Sequence, residues 1–155
     1  MIDIQNAKKE FQNYISSYNP DDPHVKIKIA HIGRVTDIAR QTAEYLHLSK
    51  DDVELAELIG LLHDIGRFEQ VRRYHTFLDK KSVNHGKLGV EILFEDGLIR
   101  KFVKDDQYDE IIKKAILNHN CLKIDEGLNE RQLLHAKLIR DSDKTDIFYS
   151  LITDD

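Results

Sequence analysis

The stretch Leu55–Leu62 constrains the fold more than any other part of the chain. It forms the second half of a helix expected from Asp51, just after Ser49, to about Ile65, and it is apolar almost all round. A helix without a solvent-facing stripe belongs at the centre of a domain, with other elements packed about it. This one ends on His63-Asp64-Ile65-Gly66, so two polar groups are delivered into the middle of the core. Gly66 reads as the C-terminal stop. The remaining sequence offers helices to surround this one. Its two prolines, Pro20 and Pro23, both fall in the Tyr18–Pro23 connection, and no segment sustains the alternation of a half-buried strand.

An amphipathic helix is expected over about Asp3–Tyr18, with Ile4, Phe11, Tyr14, Ile15 and Tyr18 inward. A second begins after Asp21-Asp22-Pro23, an acidic start with proline in the first turn. Its apolar stripe reads Ile27, His31, Val35, Ile38, Thr42 and Leu46. Arg67–Lys81 reads as an ordered loop with a short helix. Further helices are expected over about Val83–Phe94, ending at Asp96-Gly97, and over about Asp106–Asn118. The last starts near Asn129 and continues past Asp143 to Thr153-Asp154-Asp155 with no terminator, which leaves open a truncated helix and a longer natural protein. The expectation is an all-α fold of five or more helices in a single domain over residues 1–155.

The 155 residues suit one domain that buries a core without disulfides. A net charge of −5 lacks the basic excess of a phosphate-gripping nucleic-acid binder, so no nucleic-acid partner is expected. The single cysteine, Cys121, fits a reducing cytoplasm. Met1-Ile2-Asp3-Ile4-Gln5 does not read as a secretory signal, and no apolar run approaches the ~18 residues of a membrane span. A cytoplasmic location is expected.

Six polar residues fall where apolar ones belong. His31 lies four residues after Ile27 and four before Val35, and His85 shares a face with Leu88, Gly89 and Ile92. His119 follows Ile112, Ala115 and Ile116 at helical spacings, and Asp143 stands between Ile139 and Ile147. His63 and Asp64 end the most buried helix. A lone histidine on an apolar face is more often a hydrogen-bonded core residue than a ligand. Together, however, these imidazoles and carboxylates would be costly to bury without partners, and a shared divalent cation offsets those costs at once. Imidazole nitrogen suits Zn, Fe and Ni, and carboxylate oxygen suits harder ions such as Mn and Mg. His63 and Asp64, about 100° apart around the helix, can meet one metal from neighbouring directions, and the second oxygen of Asp64 can reach another. Water on such metals ionises near neutral pH, and two of them can stabilise an in-line displacement at phosphorus.

His31, the doublet His63-Asp64, and Asp143 within Asp-Ser-Asp-Lys-Thr-Asp resemble the H…HD…D motif of the HD superfamily of phosphohydrolases. The resemblance covers about residues 24–150, and Leu62-His63-Asp64-Ile65-Gly66-Arg67 is similar to the end of that family's central helix. It implies an all-α domain around a central metal site, with His31, His63, Asp64 and Asp143 as the first ligand set and Asp141 as the runner-up to Asp143. Members with two metals carry two further histidines, and His85 in Asn84-His85-Gly86 and His119 in Asn118-His119-Asn120 fit those positions, with Asp64 bridging. Two divalent ions (Mn, Fe, Ni, Co or Zn, with Mg possible) are implied. The implied activity is hydrolysis of a phosphate ester or anhydride, with nucleotides as the substrate class.

The sequence also departs from the family pattern. Some mononuclear members place a glutamate three residues after the HD aspartate, where this chain has Arg67, and Glu69 follows two residues later. That favours a metal-bridging hydroxide as nucleophile. The cyclic-dinucleotide phosphodiesterases have a His-Asp-Ile-Gly-Lys run similar to His-Asp-Ile-Gly-Arg here, but they carry an extra histidine where Asn120 stands, so that substrate is not assigned.

Asp64 is taken as the catalytic carboxylate, joined by Arg67, whose planar fork suits phosphate oxygens. Arg34, one turn after His31, and Lys144, after Asp143, are the other substrate-binding candidates. A surface ion pair is the competing reading of Arg67, and a role away from the pocket that of Arg34 and Lys144. His75, with Arg72, Arg73 and Lys80-Lys81, reads as a solvated loop rather than a substrate entrance. His24, His47 and His135 read as structural or exposed, and Cys121 as a small buried residue. Two other functions fit the same residues: a non-catalytic HD module that binds a nucleotide, and a di-iron HD oxygenase.

Overall fold

The central element, α3 (Lys50–Leu62), is capped by the Ser49 hydroxyl, which accepts from the Asp52 amide, and Asp51 and Asp52 occupy its first turn. Leu55, Ala56, Leu58, Ile59, Leu61 and Leu62 are all buried along it. Each large one contributes ~1.5–3 kcal/mol by leaving water. Glu57 is buried on the same helix and is matched by Lys8 at 3.0 Å.

The computed structural model describes residues 1–153, and among them there is no strand. The helices around α3 are α1 (Ile4–Ile15), α2 (Pro23–Tyr45), α4 (Gly66–Tyr74), α5 (His85–Val90), α6 (Ile99–Phe102), α7 (Asp109–His119) and α8 (Glu130–Thr153). α5 continues into a π-helical turn, Glu91–Glu95, and short 3-10 turns cover Asp79–Lys81 and Asp106–Tyr108. The all-α expectation is met. The missing terminator was read at Asp154 and Asp155, outside the described residues. No helix among the described residues is long and apolar enough to cross a membrane.

α2 packs along α3 and α8, α7 packs along α8, and α1 lies across α3 and α6. Phe11 and Tyr18 close the α1 side against the Phe68 ring, at centroid distances of 6.1 and 5.7 Å. α1 ends at Ile15, one turn before the expected Tyr18.

Two expectations need correction, and one element went unread. The buried stripe of α2 is Val25, His31, Ile32, Val35, Thr36, Ala39 and Ala43, whereas Ile27 and Leu46 are exposed. The true stripe is rich in small residues because the two backbones meet closely: a Cβ on Gly60 would stand 2.9 Å from the Thr36 Cα. Gly66 opens α4 rather than stopping α3. The chain makes one turn through His63, Asp64 and Ile65 and re-enters a helix, so much of Arg67–Lys81 is helical. Gly66 is needed there because a Cβ would press on the His85 carbonyl oxygen and lie 2.7 Å from the Gly89 nitrogen. That close approach seats α5, and with it His85, against the turn that carries Asp64. Finally, the four-residue helix α6 was not read from the sequence.

Candidate metal centre

Six side chains from separate elements converge between α2, α5, α7 and α8. His31 comes from α2, His63 ends α3, and Asp64 follows in the turn. His85 opens α5 behind the Asn84 cap, His119 ends α7, and Asp143 projects from α8. One ligand atom from each of His31, His63, Asp64 and Asp143 falls within 4.8 Å of the others, and so does one from each of Asp64, His85 and His119. Asp64 belongs to both sets. Its Oδ2 is 3.3 Å from His31 Nε2 and 3.6 Å from His63 Nε2, and its Oδ1 is 3.3 Å from His119 Nε2 and 3.5 Å from His85 Nε2. Asp143 Oδ1 sits 2.8 Å from His31 Nε2 and 3.4 Å from His63 Nε2. All six expected ligand residues are therefore together.

The other ring nitrogen of each histidine tests whether a metal fits. His63 Nδ1 donates to the Gly60 carbonyl at 2.7 Å and His119 Nδ1 to the Ile116 carbonyl at 2.6 Å. His31 Nδ1 donates to Asp146 at 2.6 Å, and His85 Nδ1 to Asp79 at 2.8 Å. With each Nδ1 engaged in this way, every Nε2 faces the centre, the orientation typical of metal-ligating histidines. His85 Nε2 and His119 Nε2 then face each other at 3.1 Å. The donor set fits a divalent metal, with four imidazoles and two carboxylates.

The electrostatics agree. Burial works against the Asp64 carboxylate, but the surrounding histidines and Lys28 outweigh it and hold the group well below the usual carboxylate range. Burial likewise opposes charge on His31, yet Asp143 and Asp64 push its pKa up to about 9. At His85 burial prevails and lowers the pKa to about 4. Asp143 is also held low, against its burial, by His31 and His63. The centre keeps its carboxylates ionised, as ligands must be.

A cavity of about 830 Å³ opens onto these residues. Among its walls are Lys28, Arg34, Arg67, Ile27, Ile147 and Leu151. Arg34 does reach the cavity, but its guanidinium grips both Asp146 oxygens, with Nε 2.5 Å from Oδ1, and also bonds Ser150. Arg67 lines it too, with Nη1 donating to the Phe77 carbonyl, Gln70 and Asp79. Lys144 is exposed and outside the lining, about 100° around α8 from Asp143. Asp141 is exposed as well. His75, Arg72 and Arg73 are exposed and away from the cavity, and both arginines pair with Glu69. His24 and His47 are exposed, whereas His135 is buried and bonds Asp52 at 2.9 Å. Cys121 is half-buried rather than buried, because it lies just beyond the end of α7.

Three residues of the site were not read from the sequence: Asp79, Asp146 and Lys28, whose ammonium lies 3.3 Å from Asp64 Oδ2. Asp146 and Lys28 carried a signal, since each stands three residues from an expected ligand on the same helix.

Fold and site together define a class: an all-helical domain whose central helix ends in a His-Asp doublet at a buried, metal-binding type of centre. The family model of the HD domain matches residues 29–147. The chain belongs to the HD domain family, within the superfamily of metal-dependent phosphohydrolases. No curated protein and no solved structure gives a significant match.

Proposed function

We propose that this chain is a phosphohydrolase that cleaves a P–O ester or anhydride bond in a small, nucleotide-type substrate, using two divalent cations. The carrying observation is the convergence of four histidine Nε2 atoms and two carboxylates on two adjoining positions, with Asp64 common to both. His31, His63, Asp64 and Asp143 would hold one cation, and Asp64, His85 and His119 the other. Mn, Fe, Ni, Co or Zn suits this donor set, and Mg is admissible. Such cations, when bound, lower the pKa of water toward neutrality and withdraw charge from phosphoryl oxygens.

The chain's own residues do the rest. Asp64, dividing its oxygens between the two positions, fixes their spacing. Lys28, beside Asp64, offers a positive charge to a phosphoryl oxygen at the mouth of the centre, and Arg67 and Arg34 set the field of the adjoining walls. In the reaction, the bond from phosphorus to the leaving oxygen breaks and one from phosphorus to a water oxygen forms. One water proton ends on the leaving oxygen.

Metal analysis beside a phosphatase screen tests the reading. The purified protein is expected to hold near-stoichiometric transition metal and to release phosphate from nucleotides. A chelator should abolish turnover and Mn, Fe, Ni or Co restore it. Asp64→Ala should lose both metal and turnover. Full activity in that variant would overturn the mechanism, and bound metal without turnover would favour a ligand-binding module or an oxygenase.

A further inference from the structure

The two cation positions share a pattern outside their ligands. At each, one histidine rests on a backbone carbonyl, His63 on Gly60 and His119 on Ile116. The other rests on a carboxylate, His31 on Asp146 and His85 on Asp79. Each of those carboxylates is in turn held by an arginine of the cavity wall, Asp146 by Arg34 and Asp79 by Arg67. The chain of contacts at His31 is the more closely built. His31 and Arg34 stand one turn apart on α2, and Asp143 and Asp146 one turn apart on α8, so two rungs join these helices. In the inner rung His31 Nε2 meets Asp143 Oδ1 at 2.8 Å. In the outer rung the Arg34 guanidinium takes Asp146 with two donors, Nε 2.5 Å from Oδ1 and Nη2 3.2 Å from Oδ2. A diagonal from His31 Nδ1 to Asp146 Oδ2, at 2.6 Å, ties the rungs together. Asp146 is fully buried, and Arg34 is steadied further by the Ser150 hydroxyl and the Tyr149 ring. The Nε–Nη2 edge, a fork that would suit a phosphate, is thus engaged by Asp146.

Resting on the two-cation hydrolase reading, we propose that Arg34 is a positioning residue for the cation position at His31, acting through Asp146, rather than a ligand of the substrate phosphate. The two-donor grip leaves Asp146 one orientation. Asp146 in turn fixes the His31 ring, so that Nε2 stays aimed at Asp64 and Asp143. Without the guanidinium, a fully buried carboxylate loses two hydrogen bonds and with them its fixed orientation. Charge alone argues the other way, since taking a positive charge from the neighbourhood of a cation tightens its binding. Positioning and simple repulsion therefore predict opposite signs when Arg34 is replaced.

Titration of the metal-stripped protein with Mn, the free ion followed by electron paramagnetic resonance, reads both positions without any substrate. Asp146→Ala is expected to weaken one of the two equivalents by about 10–100-fold and leave the other alone. Arg34→Met should weaken the same equivalent by a smaller part of that factor. Arg34→Lys, which keeps the charge and loses the fork, should weaken it nearly as much. The double variant should bind Mn no more weakly than Asp146→Ala, because residues that act one through the other are not additive. Should Asp146→Ala fail to fold, Asp146→Asn takes its place in the same cycle. Unmoved or tighter binding in Arg34→Met, full recovery in Arg34→Lys, or additive losses in the double variant would overturn the proposal. Turnover of nucleotides, measured alongside, separates this idea from the one beneath it. The expected order of Mn affinities with no hydrolysis would sink the hydrolase and keep the positioning role. Hydrolysis by a protein whose Mn affinity ignores Arg34 would do the reverse.

Discussion

Asp79 shows how much a single carboxylate outside the ligand set can organise. It lies in a three-residue 3-10 turn, yet its Oδ2 accepts from His85 Nδ1 at 2.8 Å and from the His85 amide at 3.3 Å. Its Oδ1 takes Gln70 Nε2 at 2.8 Å and Arg67 Nη1 at 3.2 Å. One residue thus fixes the tautomer and tilt of His85 and the position of the arginine beside it. Partners of this kind cost about 10–100-fold in metal affinity when removed. Asp79→Ala should therefore weaken the position at His85 and His119 by that factor and leave the position at His31 and Asp143 filled. Equilibrium dialysis would read one tightly held equivalent where the parent protein holds two, and two unchanged equivalents would refute the role. Of the six converging residues, His31, His85, His119 and Asp143 were legible because each breaks an apolar helical face, and His63 and Asp64 because they end the most buried helix. Asp79 was not, since a turn has no periodicity to break. Arg67 and Arg34 were legible as cations near the centre, but their pairings were not, because Asp79 lies 12 residues on in an irregular turn and Asp146 lies 112 residues away on another helix.

Among the helices, the sequence located most of them and misjudged how they face each other. On α2 a stripe built from large apolar residues picked Ile27 and Leu46, but close packing on α3 selects Ala39 and Ala43. Hydrophobic size is a poor guide where two backbones approach around Gly60. Gly66 was recognised as a break yet assigned to the wrong side of it, since only the fold reveals the close approach to α5. The same fold joins α8 to the start of α3 through a polar clasp: Arg131 Nε and His135 Nε2 both bond Asp52 Oδ1, at 2.8 and 2.9 Å. Burial disfavours the Asp52 carboxylate, but His135 and Arg131 outweigh it and hold its pKa below the ordinary 3.8. A depressed carboxyl stabilises the fold above its unfolded pKa and loses that contribution as pH falls through the folded value. Asp52→Asn should cost about 1–3 kcal/mol at pH 7, as a hydrogen bond to a charged group does. The gap between variant and parent should close as pH drops below about 4. Urea melts of both proteins at several pH values measure it, and the site's own titration cancels in the difference. A gap that persists unchanged into acid would show that the charge contributes nothing.

At the scale of the whole molecule, the site and the core use the same helices for opposed purposes. A continuous apolar cluster links Phe11, Ile32, Leu58, Phe68, Phe102, Ile112 and Ile139, so the domain has a driving force independent of any cation. At the end of the same central helix, four buried imidazoles and two ionised carboxylates draw together residues 31 to 143 of the chain. Without a cation that assembly retains desolvated, mutually crowded donors, so metal binding should tighten a fold that already stands rather than create one. Mass action sets the size. A ligand at a thousand times its Kd adds about 4 kcal/mol to the folded state. In a domain of this length each kcal/mol shifts Tm by about 2–4 °C, so saturating metal should raise Tm by roughly 8–16 °C over chelated protein. The chelated protein should still melt cooperatively with its helical circular dichroism intact. Asp64→Ala, lacking the residue shared by both positions, should show little of the metal-dependent rise. If metal left the parent protein's Tm unmoved, the six residues would be a hydrogen-bonded polar core. If chelation abolished the cooperative transition, the apolar cluster around α3 would be too weak to hold the domain alone, and the centre would be part of the fold's foundation.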